Sequence, residues 1–307
     1  MSSEGHDLAI PLITDPHQAA GRTRSRVAAY FALTKPRIIE LLLITTVPAM
    51  VLGAGRWPGT WLVVATLIGG SLSAGGANAL NNYVDRDIDV VMRRTRGRPL
   101  ARDEIPARNA LVFGVVLGVA GFAWLWSAAN LLAAAISTSA LLFYVFVYTI
   151  ALKRTSSQNI VIGGAAGAAP VLVGWAAVTG SVGLPAWVLF LVVFYWTPPH
   201  FWALAIRYRD DYSTAGVPML PVVAGVEATT RRMLLYTGLM VGVSLLLVPV
   251  AGMRWTYLVA ALVLGAWFLW DTWRVYLRPS DAMRLFTTST IYLSALFAAV
   301  MLDVLVR

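Results

Sequence analysis

Asn78, Asn81, Asp85 and Asp89 recur at intervals of three and four residues. On an α-helix that spacing puts all four on one stripe, with about 6 Å of rise per four residues, and turns Asp87 away. Two carboxylates and two carboxamides stacked on one face form a hard-oxygen set of the kind Mg²⁺ accepts while it keeps waters and shares phosphate oxygens. Asn81, Asp85 and Asp89 are the candidate metal ligands. Arg93, Arg94, Arg96 and Arg98 follow at once, and Pro99 closes the segment. Their planar, permanently charged guanidiniums suit phosphate oxygens. The pattern reads as a metal-assisted diphosphate site. The competing reading is an interfacial helix end in which Asp85 and Asp89 simply pair with the arginines. An intramembrane asparagine and two in-phase aspartates are costly unless partnered, and their combination with the arginines favours the site.

A second polar cluster runs from Tyr195 through Pro198, Pro199 and His200 to Arg207, Asp210, Asp211 and Tyr212. Two prolines inside an apolar run predict a broken helical ladder, tolerated in a membrane where protein or a cavity satisfies the freed carbonyls. His200 would sit beside that cavity, and only His6 and His17, near the amino terminus, are other histidines. The two acidic loops, 85–108 and 207–232, echo one another, each following a long apolar run.

The elements that must carry these residues are membrane helices. Apolar residues make up 58% of the 307 and charged residues only 13%, and the mean hydropathy is +0.71, which excludes an ordinary soluble domain. Stretches of about 20 apolar residues, enough to cross a bilayer, are expected near 38–55, 61–83, 109–128, 131–150, 159–179, 185–206, 233–251, 255–274 and 285–305. The expected fold class is therefore an all-α polytopic membrane protein of about nine helices over 31–307, preceded by a cytoplasmic disordered tail over 1–30. With the amino terminus inside, only Arg56, Arg254 and Arg307 of the 24 basic residues fall outside. That bias orients the chain in the plasma membrane, with the acidic loops cytoplasmic. It also accounts for the net charge of +9 without nucleic acid. Cysteine is absent, which excludes disulfides, thiolate nucleophiles and thiolate metal sites. Gly163, Gly164 and Gly167 in the fifth span allow close helix packing or the approach of a flat ligand.

Thr34-Lys35-Pro36-Arg37, the Asn-x3-Asp-x3-Asp motif at 81–89 and the second acidic loop resemble the UbiA-type intramembrane prenyltransferases over about residues 30–300. Within them, Arg94-Thr, Arg98-Pro-Leu, Leu152-Lys-Arg154, Gln158-Asn159 through Gly167 and Pro199-His200 resemble the protohaem IX farnesyltransferase (haem O synthase) family. The resemblance implies helices around a central cavity and Mg²⁺-dependent ionisation of farnesyl diphosphate. It further implies attack by a vinyl group of haem B, with water completing the product. On that basis Arg94 and Arg98 become the catalytic candidates among the arginines, Lys35, Arg37, Lys153, Arg154, Asn159, Asp210, Asp211 and Tyr212 candidate substrate-binding residues, and His200 a candidate haem contact or axial ligand. Candidate downstream partners are a haem A synthase or terminal-oxidase assembly factors. The superfamily's second loop carries aspartates four apart, whereas Arg207 stands four before Asp211 here, so a second full metal site is not expected.

Two other readings compete. A prenyltransferase acting on a quinone precursor or another aromatic ring would share the stripe. A secondary transporter would place its ionisable residues near the bilayer midplane on broken helices, not at one membrane face.

Overall fold

The computed structural model describes residues 24–307, apart from the side chains of 37, 38 and 40–43. Every regular element described is helical. The chain begins with α1 (Arg26–Leu33), α2 (Pro36–Ala54), α3 (Thr60–Val84) and the short α4 (Arg86–Val91). It continues with α5 (Ala107–Ala128) and α6 (Leu131–Leu142), the latter running on as a π-helix over Phe143–Leu152. Next come α7 (Asn159–Thr179), α8 (Leu184–Arg207), α9 (Arg209–Thr214) and α10 (Leu220–Val223). Helices α11 (Gly225–Leu245), α12 (Leu247–Ala251), α13 (Trp255–Leu277) and α14 (Ala282–Leu305) complete the bundle.

Among the described residues, 8 helical stretches are long and apolar enough to cross a membrane. They coincide with the second to ninth expected spans. The first falls on α2, of which Ile44–Ala54 counts as a shorter apolar helix. Bilayer-spanning chain must satisfy its own backbone, which helices do internally. Large apolar side chains such as Val116, Val119 and Val263 stand exposed on the outside of the bundle, as lipid contact requires.

Helix α1 starts at Arg26, inside the stretch expected to be a tail, because the Ser25 hydroxyl accepts the Ala28 N–H and caps it. Residues 1–23 lie outside the described residues. Helix α8 is not interrupted at Pro198 and Pro199, although neither can donate a backbone hydrogen bond, so the ladder lacks two bonds there. Their neighbours anchor it: Trp196 Nε1 donates to the Ser289 carbonyl at 2.8 Å, and Thr197 Oγ1 donates to the Val193 carbonyl.

Close approach of helices rests on small residues. A Cβ on Gly76 of α3 would lie 2.7 Å from the Gly114 carbonyl of α5, and one on Gly121 2.8 Å from Ser73 N. Packing by dispersion, which small residues permit, is the main association force in lipid. At the end of the bundle opposite the aspartate stripe, the Asp303 carboxylate caps α13 by accepting the Arg254 and Tyr257 N–H groups. Both acidic loops follow one plan, a long span, a one-residue turn and a helix of 6 residues. At the stripe end of the bundle lie the loops that carry nearly all the polar candidates.

Candidate active site

The stripe survives a change of helix. Asp85 ends α3 with φ −85° and ψ 2°, yet Asp85 N still donates to the Asn81 carbonyl and Asp89 N to the Asp85 carbonyl, both at 2.9 Å. The helical register therefore carries across the turn. Asn78, Asn81, Asp85 and Asp89 are all buried, Asp85 completely. Asp87 points out, its side chain 61% exposed.

Each buried carboxylate is held by a cation from elsewhere in the chain. Asp89 takes both its oxygens to one Arg98 nitrogen, at 2.8 and 2.7 Å. Asp85 Oδ2 accepts from Lys153 Nζ and from Asn81 Nδ2. Its Oδ1 is buried with no hydrogen-bond partner, and Arg154 stands 3.9 Å from it. Lys35 Nζ donates to Asn81 Oδ1 at 2.6 Å. Lys35 occupies the left-handed region at φ 53°, a sparsely populated conformation for a side chain without glycine's freedom, which marks functional sites. Burial, then Arg98 and Lys153, pushes the Lys35 ammonium well below its ordinary range. Burial lowers Lys153 as well, against the pull of Asp85.

The orientation of Asn81 follows from its neighbours. Thr149 Oγ1 donates to the Tyr144 carbonyl at 2.9 Å, so toward Asn81 Nδ2, 3.1 Å away, it can only accept. The amide nitrogen is thus turned to Thr149 and Asp85 and the oxygen to Lys35. Thr149 belongs to the π-helix, whose wider turn matters. In an α-helix the nine steps from Tyr144 to Lys153 make about 2.5 turns, and the two would face opposite ways. With hydrogen bonds reaching five residues on, as from Lys153 N to the Tyr148 carbonyl, Tyr144, Tyr148 and Lys153 come to one side. Tyr144 and Tyr148 stack there, ring centroids 5.2 Å apart.

These groups head a cavity of about 270 Å³ between α2, α3, the α6 to π-helix run, α7 and α8. Lys35, Asn78, Asn81, Asp89, Arg94, Arg98, Lys153 and Tyr212 line it. Arg94 donates to the Tyr212 hydroxyl at 3.3 Å and lies over the Tyr208 and Tyr212 rings.

Several expected residues stand elsewhere. Arg154 makes a forked pair with Asp87 and donates to the Val84 carbonyl, so it fastens the outside of the stripe and does not line the cavity. Asn159 is buried behind Lys153, whose carbonyl accepts from its Nδ2 at 3.3 Å. Asp210 is exposed. Asp211 latches the two polar loops, accepting from Arg94 N at 3.1 Å, with Arg93 at 3.8 Å. The side chain of Arg37 lies outside the described residues. His200 is also not among the cavity-lining residues. Its ring is sandwiched between Trp196 and Phe286, at 4.2 and 4.3 Å, and Nδ1 meets the Ser289 hydroxyl at 2.7 Å. His200 therefore stands as a packed imidazole bonded through Nδ1. Thr149 joins the site without a distinctive sequence pattern, because its partner Asn81 lies 68 residues away.

A profile of the UbiA prenyltransferase family matches residues 42–299. Among curated relatives, a protoheme IX farnesyltransferase of Clavibacter michiganensis is 54% identical over 91% of this chain and 92% of its own length. Protoheme IX farnesyltransferase 1 of Saccharopolyspora erythraea is 57% identical over 91% of each. Among solved structures, a digeranylgeranylglyceryl phosphate synthase superposes with a TM-score of 0.76 at 17% identity, covering 92% of this chain and 99% of that one. A UbiA homolog from Archaeoglobus fulgidus bound to DMAPP and Mg²⁺ gives 0.67 at 18%, covering 88% and 98%. At such identities the structures speak for the fold, and the close relatives for the family. The chain belongs to the UbiA prenyltransferase family, and within it to the protohaem IX farnesyltransferases.

Proposed function

We propose that this prenyltransferase moves the farnesyl group of farnesyl diphosphate onto a vinyl group of haem B, with addition of water, giving haem O and diphosphate. The observation that carries the reading is the head of the cavity, where Asp89 is held by Arg98 and the fully buried Asp85, just behind the lining, by Lys153, with Lys35 and Arg94 lining the same end and apolar space beyond. The positive-inside distribution supports a cytoplasmic position for this head and an inner-membrane location.

The donors fit Mg²⁺ in kind. Among the described residues no three carboxylate or imidazole side chains converge, so an ion here would take Asp85, Asp89 and the Asn81 oxygen and complete its shell with water and diphosphate. Asp85 Oδ1 accepts no hydrogen bond, Arg154 being 3.9 Å away, and so leaves a buried acceptor for it. Bound there, Mg²⁺ supplies neutralisation of charge on the departing diphosphate.

The chain's own residues do the rest. As diphosphate arrives, Lys153 and Arg98 exchange carboxylate for phosphate oxygens, and Lys35 and Arg94 close on the same group. The C1–O bond breaks with its electron pair on diphosphate. The allylic cation is shielded from water by the apolar wall and faces the stacked Tyr144 and Tyr148, whose ring faces favour positive charge. The vinyl π electrons form the new C–C bond. The cation left beside the porphyrin ring takes hydroxide from water, whose proton passes to diphosphate or solvent.

The acceptor is tested by offering purified protein in nanodiscs farnesyl diphosphate and Mg²⁺ with either haem B or a hydroxybenzoate. A haem O mass with haem B alone is expected. A prenylated aromatic acid with haem left unchanged would overturn the reading.

A further inference from the structure

Glycine inside a helix is destabilising relative to alanine, so a mid-helix glycine calls for a reason, and close packing supplies it for most of those facing α3 and α7. A Cβ on Gly163 would strike Tyr148 at 2.3 Å, one on Gly164 would crowd Thr197 at 3.1 Å, and one on Gly69 would strike Leu125 at 2.5 Å. Gly70 on α3 and Gly167 on α7 differ. Both line the cavity, and a Cβ on either meets nothing within 4 Å. No neighbour requires them. What their missing side chains preserve is empty volume inside the cavity.

The depth of that volume selects its occupant. Gly167 lies eight residues beyond Asn159, about 12 Å of rise, and Gly70 lies eleven residues from Asn81, about 16 Å. All the charged residues lining the cavity, Lys35, Asp89, Arg94, Arg98 and Lys153, sit at its head, next to the unpartnered buried oxygen of Asp85. Toward the two glycines the lining includes Ala74, Ala140, Ala166 and Pro170, with uncharged hydroxyl residues such as Thr46 and Ser137 among them. The nearby hydroxyls of Thr66 and Ser73 donate to backbone carbonyls. The two carboxylates of a haem would be buried there without a counter-charge, at heavy cost. An isoprenoid tail has no polar atom to satisfy, and anchored by its diphosphate at the head it reaches this depth with its last isoprene unit.

We propose that Gly70 and Gly167 determine the length of prenyl chain this enzyme accepts, by keeping open the space for the terminal isoprene unit of a farnesyl group. The inference rests on the reading of the chain as a farnesyltransferase acting on haem B. A side chain at either position would fill that space while leaving the diphosphate and acceptor ends intact.

The test compares wild type, Gly70→Leu and Gly167→Leu in nanodiscs with haem B, Mg²⁺ and either geranyl or farnesyl diphosphate, products being read by mass. The leucine variants are expected to lose at least about tenfold in kcat/KM for farnesyl diphosphate, within the range a hydrophobic pocket can discriminate. Geranyl diphosphate should stay within about threefold of wild type, and the haem Soret titration should be unchanged. Gly70→Ala and Gly167→Ala, meeting open space, should melt at or above the wild-type temperature, whereas Gly163→Ala should melt below it. Unchanged farnesyl kinetics, equal loss with both donors, or loss of haem binding without a change in chain selectivity would overturn the proposal. Wild type that converts no haem with either donor would instead remove the farnesyltransferase reading, and the proposal with it.

Discussion

Asp85 is the residue on which the account turns, being fully buried, bonded to Lys153 and Asn81, and left with one free oxygen. Its periodicity with Asn78, Asn81 and Asp89 was legible in the chain because helical spacing is a local property. Its cation partners were less so, since Lys153 lies 68 residues away and tertiary packing alone brings it there. His200 shows the converse. Its type invited a metal role, but Phe286 and Ser289, which hold the ring, leave no trace near it in sequence. His200→Phe, which keeps an aromatic ring in the stack, should retain haem conversion within about threefold, small against the 10²–10³ cost of deleting an electrostatic catalytic group. Steady-state turnover with haem B, together with an unchanged bound-haem spectrum, checks this. Thr149→Val should lower kcat/KM by about tenfold, on the scale of a hydrogen bond to a charged network, while Thr149→Ser restores it. Equal kinetics in the two variants would show that Asn81 needs no such partner.

At the scale of elements, the spans were legible from hydropathy, whereas the form of two helices was not. The π-helix over Phe143–Leu152 has no compositional signature, and without its wide turn Lys153 would face away from Tyr144. The continuity of α8 through Pro198 and Pro199 reflects its packing against α7, α11 and α14, which outweighs the local cost of two prolines. The turn between α3 and α4 is fastened by the fork from Arg154 to Asp87. Hydrogen bonding to that guanidinium holds the Asp87 carboxyl down to about 2. A depressed folded-state value means stability present above the ordinary carboxylate pKa of about 4 and lost as pH falls toward 2. Asp87→Asn should therefore destabilise the protein at pH 6, by less than about 1 kcal/mol because the pair is largely exposed. Thermal unfolding in detergent should show the difference from wild type shrinking between pH 4 and pH 2.

For the whole molecule, charge distribution and architecture point the same way. Loops rich in arginine gather at one end of the bundle with the cavity head, and the other end carries Arg56, Arg254 and Arg307. Because the chain has no cysteine, single substitutions report sidedness cleanly. Gln158→Cys should be protected from an impermeant thiol reagent in intact cells, while Ser181→Cys should be labelled, and the reverse pattern would invert the proposed topology. The shape of the cavity could not be read from sequence, because its walls come from five helices and its emptiness is a property of their packing. That a cavity exists was expected from the paired prolines and the family resemblance, but the sequence alone did not distinguish the role of Gly167 from that of Gly163.

The central claim is that chemistry occurs at the Asn81, Asp85 and Asp89 stripe with a divalent ion. It is tested most directly by single-turnover conversion of haem B with farnesyl diphosphate, followed by porphyrin mass spectrometry, in wild type and Asp85→Asn, with Mg²⁺ or EDTA. The account predicts a haem O mass from wild type with Mg²⁺, its loss with EDTA, and a rate lower by on the order of 10²–10³ in the variant at unchanged helical content. Comparable rates in the folded variant, or full activity in EDTA, would contradict it.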